Sequence, residues 1–170
     1  MRLAVSFDVF GRADSLAGAG WDGGTGTDAT GLVPGGPPPG GPIGVANGGG
    51  RGTVDGTNPF SQFGFAVSRA ADGAVQGNFN CLMAGGSEFP GFDLMAVRGQ
   101  ITSVAVSRST ATFDGAGMFQ TGNQGKELAT FRVVVTEGGP GIGTLQLTLL
   151  TPFLFVLPPE TVLNGNITIH

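Results

Sequence analysis

Twenty-two of the 42 residues from Gly18 to Pro59 are glycine or proline, against 22 in the other 128. Such a stretch cannot continue a helix or a central strand, because proline removes a backbone donor and glycine adds no side chain to pack. At its centre lies Pro34-Gly35-Gly36-Pro37-Pro38-Pro39-Gly40-Gly41-Pro42. No Gly-x-y period runs through it, which excludes collagen. The reading that follows is an N-terminal strand at 1–17, a Gly/Pro-rich linker or loop at 18–59, and a body at 60–170.

The flanking sequence carries strand signals. Leu3, Val5, Phe7 and Val9 share one face of a strand, with Ser6 and Asp8 opposite. Phe63, Phe65 and Val67 alternate, and Asp72-Gly73 marks a hairpin turn. Further strands are expected at 74–83, 89–97, 101–106, 111–118 (with a turn or bulge at Asp114-Gly115), 128–136, 145–150, 153–157 and 166–169. About ten strands with no convincing amphipathic helix predict an all-β fold, an antiparallel sandwich or barrel.

Charge narrows the function. Eight basic and twelve acidic residues give a net charge of −4, and Lys126 is the only lysine. The seven arginines are scattered, so the basic stripe that a nucleic-acid binder needs is missing. No apolar run reaches membrane-spanning length, and no signal peptide is expected, since Leu3 to Phe10 is too short and too alternating for one. The low charge and the Gly/Thr/Ser-rich composition suit a secreted protein at the cell surface.

Catalytic constellations are sparse. The single histidine, His170, leaves a triad without a base. Glu88 and Asp93 flank Phe89-Pro90-Gly91-Phe92, where solvated acids on a turn are expected rather than a glycosidase pair. One cysteine, Cys81, can form neither an intrachain disulfide nor a zinc site. Asp22, Asp28 and Asp55 offer an irregular calcium site at most, and Trp21 is the one tryptophan available to a sugar platform. Asn166-Ile167-Thr168 is a glycosylation sequon that falls in an expected strand. The expectation is therefore a protein without catalysis or cofactor.

Two stretches carry a resemblance. The first is Ile101-Thr102-Ser103-Val104-Ala105-Val106-Ser107 followed by Ala111-Thr112-Phe113-Asp114-Gly115-Ala116-Gly117. The second is Phe131-Arg132-Val133-Val134-Val135-Thr136-Glu137-Gly138-Gly139-Pro140-Gly141, with the closing Leu163-Asn164-Gly165-Asn166-Ile167-Thr168-Ile169-His170. With Gly50-Arg51-Gly52-Thr53 and Phe63-Gly64-Phe65, residues from about 50 to 170 resemble the post-choice-of-anchor (post-COAP) domains of secreted bacterial proteins. The resemblance implies an exported all-β domain of no established activity. The turn at 137–141 has fewer acids than that family's usual turn, and 151–160 is more apolar.

These features lead to an extracellular structural subunit that self-assembles into a filament, sheath or similar polymer. A Gly-rich linker of some 40 residues reaches about 35 Å, enough for the 3–9 strand to complete a neighbour's sheet. The expected interface is Leu3, Val5, Phe7 and Val9 as an exchanged strand, with Phe153 and Phe155 in an apolar contact run. The partners are copies of the chain itself. The alternative is a monomeric surface module binding a glycan or Ca2+.

Overall fold

The computed structural model describes residues 43–83, 95–122 and 124–170. Nine strands run through them: β1 (Ile43–Thr53), β2 (Ser61–Arg69), β3 (Val75–Met83), β4 (Met95–Ser107), β5 (Thr110–Thr121), β6 (Glu127–Thr136), β7 (Thr144–Thr151), β8 (Phe155–Val156) and β9 (Glu160–Ile169). Every pairing is antiparallel. The sheet order is β6-β5-β4-β3-β2-β1-β9-β7-β8, and β6 pairs back onto β7. Eight strands thus close into a ring, the all-β sandwich or barrel architecture expected from the strand pattern, with β8 hung on β7.

Local signals explain the meander from β1 to β7. Asp72 Oδ1 accepts a hydrogen bond from the Ala74 amide at 2.9 Å, and Gly73 takes φ 87°, so the β2–β3 turn closes where Asp-Gly predicts. Ser107 pairs with Thr110 across a two-residue turn in which Arg108 adopts φ 55°. The bulge lies opposite Asp114-Gly115 rather than in it: Ile101 pairs with Gly115 and Ser103 with Asp114, so the extra residue is Thr102 on β4, and β5 runs unbroken. The seam between β7 and β9 is short, two residue pairs, and residues 138–143 extend it. The Gly138 and Ile167 backbones exchange two bonds of 3.0 Å, and the Gly141 amide donates to the Val162 carbonyl at 2.9 Å.

The barrel interior is apolar and the outside polar. Phe63, Phe65, Phe79, Phe113, Phe131, Val133, Val135, Leu145, Leu147 and Leu149 fill the ring. Gln62, Gln76, Asn78, Asn80 and Arg98 alternate with inward residues and face outward. This is the reverse of a barrel whose outer wall meets lipid. An eight-stranded ring is just wide enough for side chains to fill. Phe65, Phe113, Phe79 and Phe131 form a tilted chain through it, with ring centroids 5.2, 5.9 and 5.3 Å apart in that order.

Glycine makes the room for these rings. A Cβ at Gly99 would sit 2.7 Å from the Phe131 ring, and one at Gly115 would overlap it. The inward positions of β1 are Ala46, Gly48, Gly50 and Gly52, which pair with Val67, Phe65, Phe63 and Ser61 on β2. β1 therefore gives volume to its neighbours. This corrects the expectation that residues 18–59 are linker throughout and that the body starts at 60: residues 43–53 are a central strand between β2 and β9. Strand signals read from side chains miss a strand whose task is to have none. The expected 153–157 strand is shorter, Phe155–Val156, and the expected 166–169 strand begins earlier, at Glu160. The expected strand at 3–10 lies outside the described residues.

Phe131→Ala is expected to cost about 3–5 kcal/mol in chemical denaturation, since it empties the most crowded part of the ring. Leu128→Ala, at an outward position three residues earlier, should stay within about 0.5 kcal/mol. Equal costs would contradict the inward and outward assignment.

Candidate functional site

One end of the ring gathers the paired termini of β2–β3 and β3–β4, where Met83 pairs with Met95 and Met95 with Thr121. The start of β9 and the end of β1 reach the same end, with Thr53 opposite Thr161. Inside it lies a polar cluster in an otherwise apolar interior: Ser61 and Glu160 are buried, Glu160 to 2% exposure, whereas Thr53, also buried, turns its hydroxyl to Asp55. Parity places them there. Ser61 continues the inward series Phe63, Phe65, Val67, and Glu160 continues Val162.

The Ser61 hydroxyl donates a short hydrogen bond to Glu160 Oε2. Gly52 lies against the same carboxyl, and a Cβ there would overlap it. Cys81, buried on β3, lies within hydrogen-bond reach of Ser61. Burial disfavours the ionised carboxylate and pushes Glu160 up to about 7, with the Ser61 bond pulling partly back. Burial, then the neighbouring Glu160 charge, push the Cys81 thiol up to about 12, so it stays a neutral thiol. The cluster can bind and release a proton near neutrality. His170 is remote from it, since its amide donates to the Val45 carbonyl where β9 meets the start of β1.

Residues 152–159 lead from β7 back to β9, with Phe155 and Val156 paired antiparallel alongside Leu149 and Thr148 of β7. The Leu157 amide donates to the Leu147 carbonyl at 3.0 Å, and Gln146 Nε2 donates to the Leu157 carbonyl at 3.2 Å. Phe153 meets Phe119 edge-on at 5.6 Å and Phe155 at 6.3 Å. Phe155 is half-buried against the core, whereas Phe153 is 41% and Leu154 72% exposed. Val156 is exposed beside them, and Met118 and Leu128 face each other, both exposed, across the adjoining β5–β6 pair.

Other expected positions resolve differently. Asp55 is fully used by its own turn: it accepts from Thr53 Oγ1, the Thr57 and Asn58 amides and Asn58 Nδ2, at 2.7–2.9 Å. Those bonds, the Asn58 and Thr57 amides first, hold its carboxyl far below the usual range. Among the described residues no group of three or more His, Cys, Asp or Glu could hold a metal. Asn166 Nδ2 donates to Thr168 Oγ1 at 3.0 Å on β9. Leu3, Val5, Phe7, Val9, Asp22, Asp28, Trp21, Glu88 and Asp93 lie outside the described residues.

Away from the cluster, a shallow groove of about 380 Å³ crosses the outer face of β1–β3, lined by Asn47, Ala66, Ser68, Gln76, Asn78 and His170 among others. Asn47 and Asn78 stand on either side of Ala66 in register, so the small residue forms its floor. Comparison with family models, with curated proteins and with solved structures finds no match to this chain.

Ser61→Ala leaves a buried carboxylate without this donor and is expected to cost about 1–3 kcal/mol in denaturation at neutral pH. Cys81 should resist maleimide in the folded protein and react fully once unfolded. Rapid native labelling would place the thiol outside the barrel.

Proposed function

We propose that this chain is a non-catalytic, extracellular structural subunit that self-associates through the apolar end of its barrel. The observation that carries this reading is the exposed group Phe153, Leu154 and Val156, with Met118 and Leu128 exposed on the β5–β6 pair; Val54, Val106, Ile142 and Leu150 are also exposed, on an outer face otherwise of Gln, Asn, Thr, Ser and Arg. Exposed apolar surface of this kind marks a contact site. Its five side chains are uncharged, with Arg98 and Lys126 at its Met118 edge, and apolar contact with a second copy of itself is the association it suits. The resemblance of residues from about 50 to 170 to post-COAP domains agrees with export.

Exchange of a strand carrying Leu3, Val5, Phe7 and Val9 is the other route to association. The amide-lined groove over β2 favours a second reading, a surface module for a neutral glycan, which a glycan array would detect as saturable binding.

Sedimentation of the purified chain over a wide concentration range is expected to show oligomers, and negative-stain microscopy regular assemblies. Leu154→Asp with Val156→Asp should weaken association at least about tenfold, by burying charge at the contact. Deleting residues 1–12 separates the two routes: lost assembly means exchange, and retained assembly means contact through the barrel end alone. A monomer at every concentration would refute self-association.

A further inference from the structure

The turn from Glu137 to Gly143 lies away from the apolar barrel end, yet it presents a large aliphatic side chain to solvent. Ile142 is 71% exposed, and Glu137 is exposed as well. The backbone of the turn is pinned. The Glu137 amide donates to the Ser109 carbonyl at 2.8 Å, the Gly143 amide to the Gly139 carbonyl at 2.9 Å, and Gly138 and Gly141 are bonded to β9. A Cβ at Gly138 would sit 2.7 Å from Ile142 Cγ2, so the isoleucine lies over the backbone next to Glu137. An apolar side chain and an acid are thus held together on a rigid support, and a contact has little left to order.

A site of opposite charge lies at the other end of the barrel wall. A depression of about 230 Å³ there is lined by the apolar Leu82, Ala96 and Met118 and by the cations Arg98 and Lys126. Leu82 pairs with Ala96, and Arg98 with Met118, on the outward face of β3–β5. Among the described residues neither cation has an ion pair; the salt bridge there joins Arg132 to Asp114. Glu127 follows Lys126 but has the inward parity of Ala129 and Phe131, so it does not share the outer face. The two sites stand at opposite ends of β5. Thr110 pairs with Thr136, just before the turn, and Gln120 pairs with Ala96 in the depression.

We propose that copies of this chain stack head to tail, the 137–142 turn of one seated in the depression of the next, with Ile142 on Leu82, Ala96 and Met118 and Glu137 on Arg98 and Lys126.

This rests on self-association through the apolar end and names what that end receives, since the depression shares Met118 with the exposed apolar group. Charge sets the orientation. Arg108 and Asp72, on the neighbouring β4–β5 and β2–β3 turns, are of opposite sign and add no net charge at the end that carries Glu137. Arg69, at the same end, is held on the Val104 carbonyl at 3.0 Å. A side chain that fits a depression elsewhere on the same molecule makes a heterologous contact, and its repetition builds a ring or an open filament. The apolar end meeting its own counterpart would be isologous and stop at a dimer.

Sedimentation velocity on the full chain and on two variants tests this. Glu137→Gln with Ile142→Ser strips the turn and leaves the depression intact; Arg98→Glu with Lys126→Glu does the reverse. Each alone should associate at least about tenfold more weakly than the unaltered chain, the second by setting like charges against each other. Mixed in equal amounts they retain one working contact, and should form a one-to-one dimer and nothing longer. Glu137→Arg added to the Arg98→Glu, Lys126→Glu chain should restore association, which a merely misfolded variant would not do. No dimer in the mixture, no restoration by Glu137→Arg, or unchanged association of the Glu137→Gln, Ile142→Ser chain would each overturn the head-to-tail contact. The unaltered chain would then still associate by another surface, whereas its staying monomeric at every concentration would refute self-association itself.

Discussion

Closing eight strands into a ring sets a fixed interior volume, and the rest of this structure follows from how that volume is divided. Four phenylalanines in tilted succession occupy more of it than a uniform distribution of aliphatic side chains would. Close packing tolerates neither overlap nor void, so neighbouring inward positions must shrink to match. They do so at Gly99 and Gly115 around Phe131, and along the whole inward face of β1. The cost is backbone freedom, which glycine loses more of on folding than any other residue. Pairing on both sides of β1, with β2 and β9, offsets it. At Gly50 and Gly165 the two backbones meet directly across the β1–β9 ladder, with φ 154° and 106°, conformations that side chains would resist.

The polar cluster is a product of the same arrangement. Gly52 is the last of the inward glycines of β1, and where Gly48 makes room for a ring, Gly52 makes room for a carboxyl. The ring that packs phenylalanine by displacing glycine side chains also withdraws Glu160 from water, and that withdrawal raises its proton affinity. Contrast Asp114 on the outer face. Arg132 meets it at 2.7 Å through Nε and 3.1 Å through Nη2 and holds its carboxyl below the usual range. Two acids on the same barrel are moved in opposite directions, one by desolvation and one by a paired charge.

Much of the fold was legible because period-two alternation and turn chemistry are local. The alternation from Phe63 to Val67 and the Asp72-Gly73 turn are each readable within a few residues. What escaped was non-local. That Gly48, Gly50 and Gly52 form a strand depends on Phe65, the Asn164 backbone and Glu160 on other strands, so composition alone points to a loop. The cluster was half visible: Ser61 shares parity with Phe63, and Glu160 with Val162 two residues on. The signal was there in register, but Pro158-Pro159 ahead of Glu160 reads as a turn, and acids in turns are normally solvated. Phe153 and Phe155 stood out as apolar from sequence, while their division into an exposed ring that meets Phe119 of β5 and a ring packed on the core is set by other strands.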